Sequence, residues 1–278
     1  MRLGKAISVV GARWYNPGVE NTLEFSVLLR LIDERSIAFR AAITAAPDLD
    51  LNVPTCPEWT LLDLAQHLGG VHRCWAATVN AGPADAPPAT SLSDHVEAAP
   101  REREALLAWS AASTQELLGA LREAGPDRGC WTWWGESESP QTSGSVARHQ
   151  VQEVLVHTYD AQAALGAPQP LPDEAALDGV EEFLVTCAGS TGAWPHEAAV
   201  VDFHATEGRS WRLTLSAEGG RTTRIPTPGT AADQGVEAAD ASVRGTASEL
   251  VLNLYERMPL SALQLDGDRG LFDQLAAW

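Results

Sequence analysis

The hydrophobic period of this chain changes once, at a proline-rich stretch, and that change limits the folds open to it. Before residues 166–172 the apolar residues recur at helical spacing; after them, short runs alternate between apolar and polar. In 22–46, Leu28, Leu31, Ile32, Phe39 and Ile43 fall on one face of a 3.6-residue period. Residues 47–57 read as irregular. A second helix opens at Thr60, an N-cap with Asp63 three residues on, and is expected to run to about Val79. Gly69 and Gly70 interrupt it at about 1 kcal/mol each relative to alanine, tolerable where another backbone or a ligand comes close. A third helix is expected over 93–123 with a break at Pro100, and a fourth over 145–165, ended by Gly166 and Pro168. The long polar links leave both up-down and crossover topologies open.

Beyond the link, a helix near 173–187 precedes alternating runs at 199–206, 211–216 and 222–225. Glu207-Gly208 and Glu218-Gly219-Gly220 separate these runs as turns, the pattern of an antiparallel meander. A strand at 241–244, a helix at 247–256, a strand at 263–266 and a closing helix at 270–278 complete an α+β pattern. The expectation is therefore a two-domain α plus α/β protein. Residues 1–22 form an N-terminal extension, 23–166 a four-helix bundle, and 167–278 a linker and an α+β domain with a mainly antiparallel sheet.

A formal net charge of -18 opposes nucleic acid as a partner, because phosphate binding needs concentrated Lys and Arg. No apolar run approaches the roughly 20 residues of a membrane span. Cys56, Cys74, Cys130 and Cys187 are scattered, without a CxxC pair, so free thiols in a reducing cytoplasm are expected. The apolar run at 6–12 is short for a signal peptide, and a cytoplasmic protein, monomer or homodimer, acting on small molecules is the expectation.

The chemistry concentrates in the fourth helix. Glu153 and His157 lie four residues apart, so a carboxylate and an imidazole project from one face. His149 extends the series, but it lies about 12 Å from His157 along an axis rising about 1.5 Å per residue. Bonds near roughly 2 Å cannot join both ends of that span to one ion. A third ligand must come from another helix. His67 shares a face of the second helix with Leu64, Leu68 and Val71, whereas His72 lies about 140° around the helix from it. Val151, Val154, Leu155 and Val156 flank the Glu153/His157 pair, and a buried glutamate is costly unless paired or metal-bound. Two readings stay open at this point: a divalent-metal site, or an acid–base pair sharing a helix face.

The stretch Val53-Pro-Thr-Cys-Pro-Glu-Trp-Thr-Leu-Leu-Asp-Leu-Ala-Gln-His-Leu-Gly-Gly-Val-His72, with Glu153-x3-His157-Thr-Tyr-Asp160-Ala161, resembles the mycothiol-dependent maleylpyruvate isomerase family of actinobacteria. The segments Ala239-Asp-Ala-Ser-Val-Arg-Gly-Thr-Ala-Ser-Glu-Leu250 and Asp266-Gly-Asp268 resemble that family's tail. The resemblance implies a DinB-like four-helix bundle followed by a small domain similar to sterol carrier proteins. It also implies a metal site, most readily Zn2+, with His67, Glu153 and His157 as ligands, and mycothiol as thiol cosubstrate.

Zinc held by two imidazoles and a carboxylate keeps an open position, and a thiol entering it loses its proton. The thiolate attacks a small soft electrophile; addition, rotation and elimination give cis–trans isomerisation, and addition alone gives S-transfer. A hydrolase with water in that position, and a non-catalytic binding or regulatory protein stabilised by its metal, are the competing expectations. Asp160 reads either as the acceptor that orients an imidazole or, the favoured expectation, as an ordinary charged residue near a helix end. Arg148 and His149 either meet an anionic substrate or the thiol at a cavity mouth or lie on the surface. Trp131, Trp133 and Trp134 are expected to pack between the two domains, with a ligand-pocket wall as the alternative.

Overall fold

A computed structural model describes residues 23–229 and 237–278. The expected extension at 1–22 lies outside the described residues. Four long helices dominate the first part: α1 (Phe25–Ala45), α2 (Leu61–Ala81), α4 (Arg103–Ala124) and α5 (Ser143–Ala164), with a short α3 (Leu92–Glu97). Their starts follow from local chemistry. Thr60 accepts from the Asp63 amide at 3.3 Å while Asp63 accepts from the Thr60 amide at 2.9 Å, a reciprocal cap on α2. Ser91 and Asp94 repeat the device on α3. Pro100 falls in the break between α3 and α4, because proline cannot donate to the preceding turn.

Residues 47–57 are more ordered than their sequence suggests. Strands β1 (Asn52–Val53) and β2 (Cys56–Thr60) form a small antiparallel hairpin. Asn52 Nδ2 braces it, donating to the carbonyl oxygens of Pro57 and Trp59. Two prolines and a register shift hide its alternation.

The helices α1 and α2, consecutive in sequence, are not neighbours. Each packs on α4 and α5, which gives the ring order α1–α4–α2–α5 and a crossover connection. Gly69 marks the tightest approach in this packing. A Cβ there would lie 2.0 Å from the Trp109 ring of α4, so a tryptophan, rather than a backbone or ligand, occupies the space the glycine leaves.

The second part begins with α6 (Asp173–Glu182), which continues as a π-helical turn over Phe183–Cys187. A five-stranded sheet follows, in the order β5 (Gly219–Ile225), β4 (Ser210–Ser216), β3 (Ala199–Ala205), β6 (Ala241–Gly245), β7 (Gln264–Gly267). The β3–β4–β5 meander is antiparallel, as the alternation implies, and so is β6–β7; β3 and β6 pair parallel. Helices α7 (Ala247–Leu254) and α8 (Gly270–Ala277) complete a mixed helical and sheet fold. Its main apolar core is continuous, running from Leu28, Trp75 and Val151 through Val180 to Val201, Trp211 and Val243. A smaller cluster around Phe39, Ile43, Leu64 and Leu106 fills the other end of the helices.

The two glycines Gly69 and Gly119 give this packing a signed test. Gly69→Ala drives a methyl into the Trp109 ring and is expected to destabilise by about 1–3 kcal/mol. Gly119→Ala, exposed on α4 with nothing within 4 Å of its Cβ position, is expected to stabilise by about 0.5–1 kcal/mol. Urea midpoints of the two variants should move in opposite directions; a shared direction would contradict the packing described.

Candidate metal centre

Helix α2 carries His67 and α5 carries Glu153 and His157, and their packing brings one ligand atom from each within 4.8 Å of the others. His157 Nε2 lies 3.3 Å from Glu153 Oε2. The two imidazole rings meet edge to face with centroids 5.0 Å apart. Burial is unequal: His157 is enclosed, His67 is half-buried, and the Glu153 side chain keeps 22% of its surface, so the centre is reachable from outside.

Asp160 corrects the expectation of an ordinary charged residue near a helix end. It is fully buried, and its carboxylate lies 2.9 Å from His157 Nδ1. It also accepts from Thr55 Oγ1 at 2.6 Å and from Arg257 Nε and Nη2 at 3.1 and 3.0 Å. With Nδ1–H committed to Asp160, His157 Nε2 faces Glu153 and the cluster. Thr55 and Arg257 were not singled out from sequence. Thr55 lies within the Val53–His72 motif, whereas Arg257 is 97 residues from Asp160 and carries no local signal.

Arg148 lines a pocket together with Glu181 and Arg224, whereas His149 lies inside the protein rather than on its surface. His149 is buried, with Nδ1 2.9 Å from Glu182 Oε1 and Nε2 3.6 Å from Glu153 Oε1. Arg148 donates from Nε to Asp178 Oδ2 at 2.9 Å, so its charge is engaged by α6. His72, set aside by its helix angle, is fully buried beside Thr114 and outside the cluster. Trp131 and Trp134 pack on Trp75 of α2, and Trp133 and Trp134 on His149 of α5, while Trp134 also belongs to the core that runs into the second half of the chain. Trp59 of β2, unmarked in the sequence, stands 4.7 Å from the His67 ring and 6.2 Å from that of His157.

The electrostatics suit a cation. Burial pushes His67 down to about 4, helped by His157, so it is a neutral imidazole with a free lone pair. Burial alone would raise Glu153, but the hydrogen bond and charge of His157, with His149, hold it at about 2. Burial would lower His157, yet the hydrogen bonds of Asp160 and Glu153 raise it to about 9. The cysteines are free, and burial raises all four thiols, so none is activated as a nucleophile.

Residues 29–162 match the family described as the mycothiol maleylpyruvate isomerase N-terminal domain, and residues 174–274 match the MDMPI C-terminal domain. Two crystal structures of a mycothiol-dependent maleylpyruvate isomerase, one of them a point mutant, share the fold. They superpose with TM-scores of 0.60 for the mutant and 0.59, at 14% identity, covering 88% of this chain and 93% of theirs. Among curated proteins none matches significantly.

The raised value of His157 has a measurable sign. Its protonated form contributes stability that is complete below the ordinary 6.5 and is lost as pH rises through about 9. A metal ion binding Nε2 must displace that proton, while His67 and Glu153 have none to give at neutral pH. Zinc uptake at pH 7 is expected to release about one proton per chain, with affinity rising about tenfold per pH unit and levelling above pH 9. Calorimetric titration in buffers of different ionisation enthalpy measures this; uptake without proton release would contradict it.

Proposed function

The chain belongs to the mycothiol maleylpyruvate isomerase family, and from that premise we propose that it is a metal-dependent enzyme using mycothiol to isomerise, or transfer sulfur to, a small electrophile. The observation that carries the reading is the convergence of two imidazoles and one carboxylate within 4.8 Å, inside the segment that matches the family. That donor set fits a divalent ion, most readily Zn2+, with a position left open. A metal held by His67, Glu153 and His157 would supply a Lewis acid that lowers the pKa of a coordinated thiol, so that its proton is lost to solvent.

This chain's own residues do the rest. Asp160 holds His157 at Nδ1 and so presents Nε2 to the centre. Arg257 and Thr55 satisfy Asp160, which keeps its carboxylate from turning away. Glu182 fixes His149, whose Nε2 faces the second oxygen of Glu153 and steadies the carboxylate rotamer. The exposed edge of Glu153 leaves the approach for thiol and electrophile. We read 23–166 as a DinB-like four-helix bundle that carries the centre and 167–278 as the α+β domain that contributes Arg257. No helix among the described residues is long and apolar enough to cross a membrane.

Elemental analysis of the full-length protein beside Glu153→Ala and His157→Ala tests the metal, with about one ion per chain expected in the parent and little in the variants. Asp160→Asn is expected to keep the fold but lose about 10–100-fold in metal affinity or mycothiol-dependent isomerisation of maleylpyruvate. Equal metal content in all proteins, or turnover unaffected by omitting the thiol, would refute the reading.

A further inference from the structure

The chain leaves helix α7 through a residue in a conformation that side chains avoid. Glu256 has φ 63°, the one non-glycine residue with positive φ among the described residues. It follows the helix end at Tyr255, where glycine is the usual occupant because it has no Cβ to strain. The turn itself serves the fold: the amides of Arg257 and Met258 both donate back to the Leu252 carbonyl, and Arg257 is thereby returned to Asp160. A glycine would make the same turn. The exposed Glu256 carboxylate meets no partner among the described residues, so strain is kept here for a side chain that the fold does not use.

Glu256 stands on the wall of a cleft of about 800 Å3, the size of a small-molecule site. The β1–β2 hairpin, the π-helical turn, one face of the sheet and α8 bound it. Its walls are mostly apolar, with Phe183, Phe203, Met258, Phe272 and Trp278 among them. Tyr255 braces Phe183 edge-on at 5.0 Å, and Trp194 braces Trp278 at 5.3 Å, so these rings are held in place. The polar side chains of the wall are spent on protein: Thr191 on the Cys187 carbonyl, Asn253 on that of Met258, and Thr55 on Asp160. Among the described residues that line the cleft, only Glu256 and Arg257 are charged. Arg257 gives Nε and Nη2 to Asp160 and Nη1 to the Tyr255 carbonyl. An anion entering the cleft has to compete with Asp160 for that guanidinium, whereas a cation meets aromatic walls and an unshared carboxylate.

We propose that this cleft binds an organic ammonium: an apolar body seated among Phe183, Phe203 and Phe272, with one positive nitrogen at Glu256. The site stands apart from His67, Glu153 and His157, none of which lines the cleft, and it needs no metal.

Titration calorimetry of the full-length protein with three probes of equal chain length, octylammonium, 1-octanol and octanoate, tests the assignment. Octylammonium is expected to bind more tightly than octanol by about three- to tenfold, the combined range of a partly exposed ion pair and a cation–π contact, and octanoate more weakly than either. Glu256→Gln should remove most of the ammonium advantage while leaving octanol binding unchanged. Ala276→Trp, at an exposed position of α8 on the cleft wall, should abolish binding of all three. Glu256→Gly should lose the advantage as well, yet unfold at a higher urea concentration because glycine relieves the turn. Octanoate binding as tightly as octylammonium overturns the proposal, and so does failure of all three probes to bind. An ammonium advantage that survives Glu256→Gln is general attraction to a chain of net charge -18 and refutes the site. Binding left intact by Ala276→Trp places the probes elsewhere, and a lowered urea midpoint for Glu256→Gly makes the glutamate a structural residue; either result also refutes it.

Discussion

A carboxylate with no access to water has to be satisfied entirely by protein, and Asp160 imposes that demand on three separate parts of the chain. Helix α5 brings His157, the β1–β2 hairpin brings Thr55, and the segment after α7 brings Arg257. Withdrawing one partner from such a buried charged group typically costs about 3–5 kcal/mol, because the remaining charge has nowhere to go. The three segments are therefore tied to one point. That point is also the support of the candidate centre, since it sets which nitrogen of His157 faces Glu153.

The same logic runs along α5. Asp160, His157, Glu153 and His149 recur at three- and four-residue intervals on one face, and Glu182 of α6 closes the series. Acids and bases alternate, so each buried group finds an opposite partner. This explains how a largely buried helix tolerates so many ionisable side chains. It also explains the low value of Glu153 and the raised value of His157, which burial by itself would have moved the other way. Those neighbours fix the orientation of the candidate donor set.

Much of this was legible from local patterns. The reciprocal cap at Thr60 and Asp63 involves residues three apart and reads directly, as does the helical spacing of Glu153 and His157. The β1–β2 hairpin did not read, because Pro54 and Pro57 mask a very short alternation. The parallel pairing of β3 with β6 did not read either, since a strand's residues do not state which neighbour it will find. Asp160 was misjudged for a related reason: its role depends on Arg257, which is 97 residues away.

By itself, the sequence determined the start of each long helix, which faces are apolar, and that Glu153 and His157 share one face of a helix, because those properties depend on neighbours within one helical turn or one strand. Tertiary structure alone decided the ring order of the helices, the burial of Asp160, the reach of Arg257 and the placing of Trp59 and His67 beside His157. Those depend on contacts between distant segments, and such contacts form only when the apolar faces have chosen their partners.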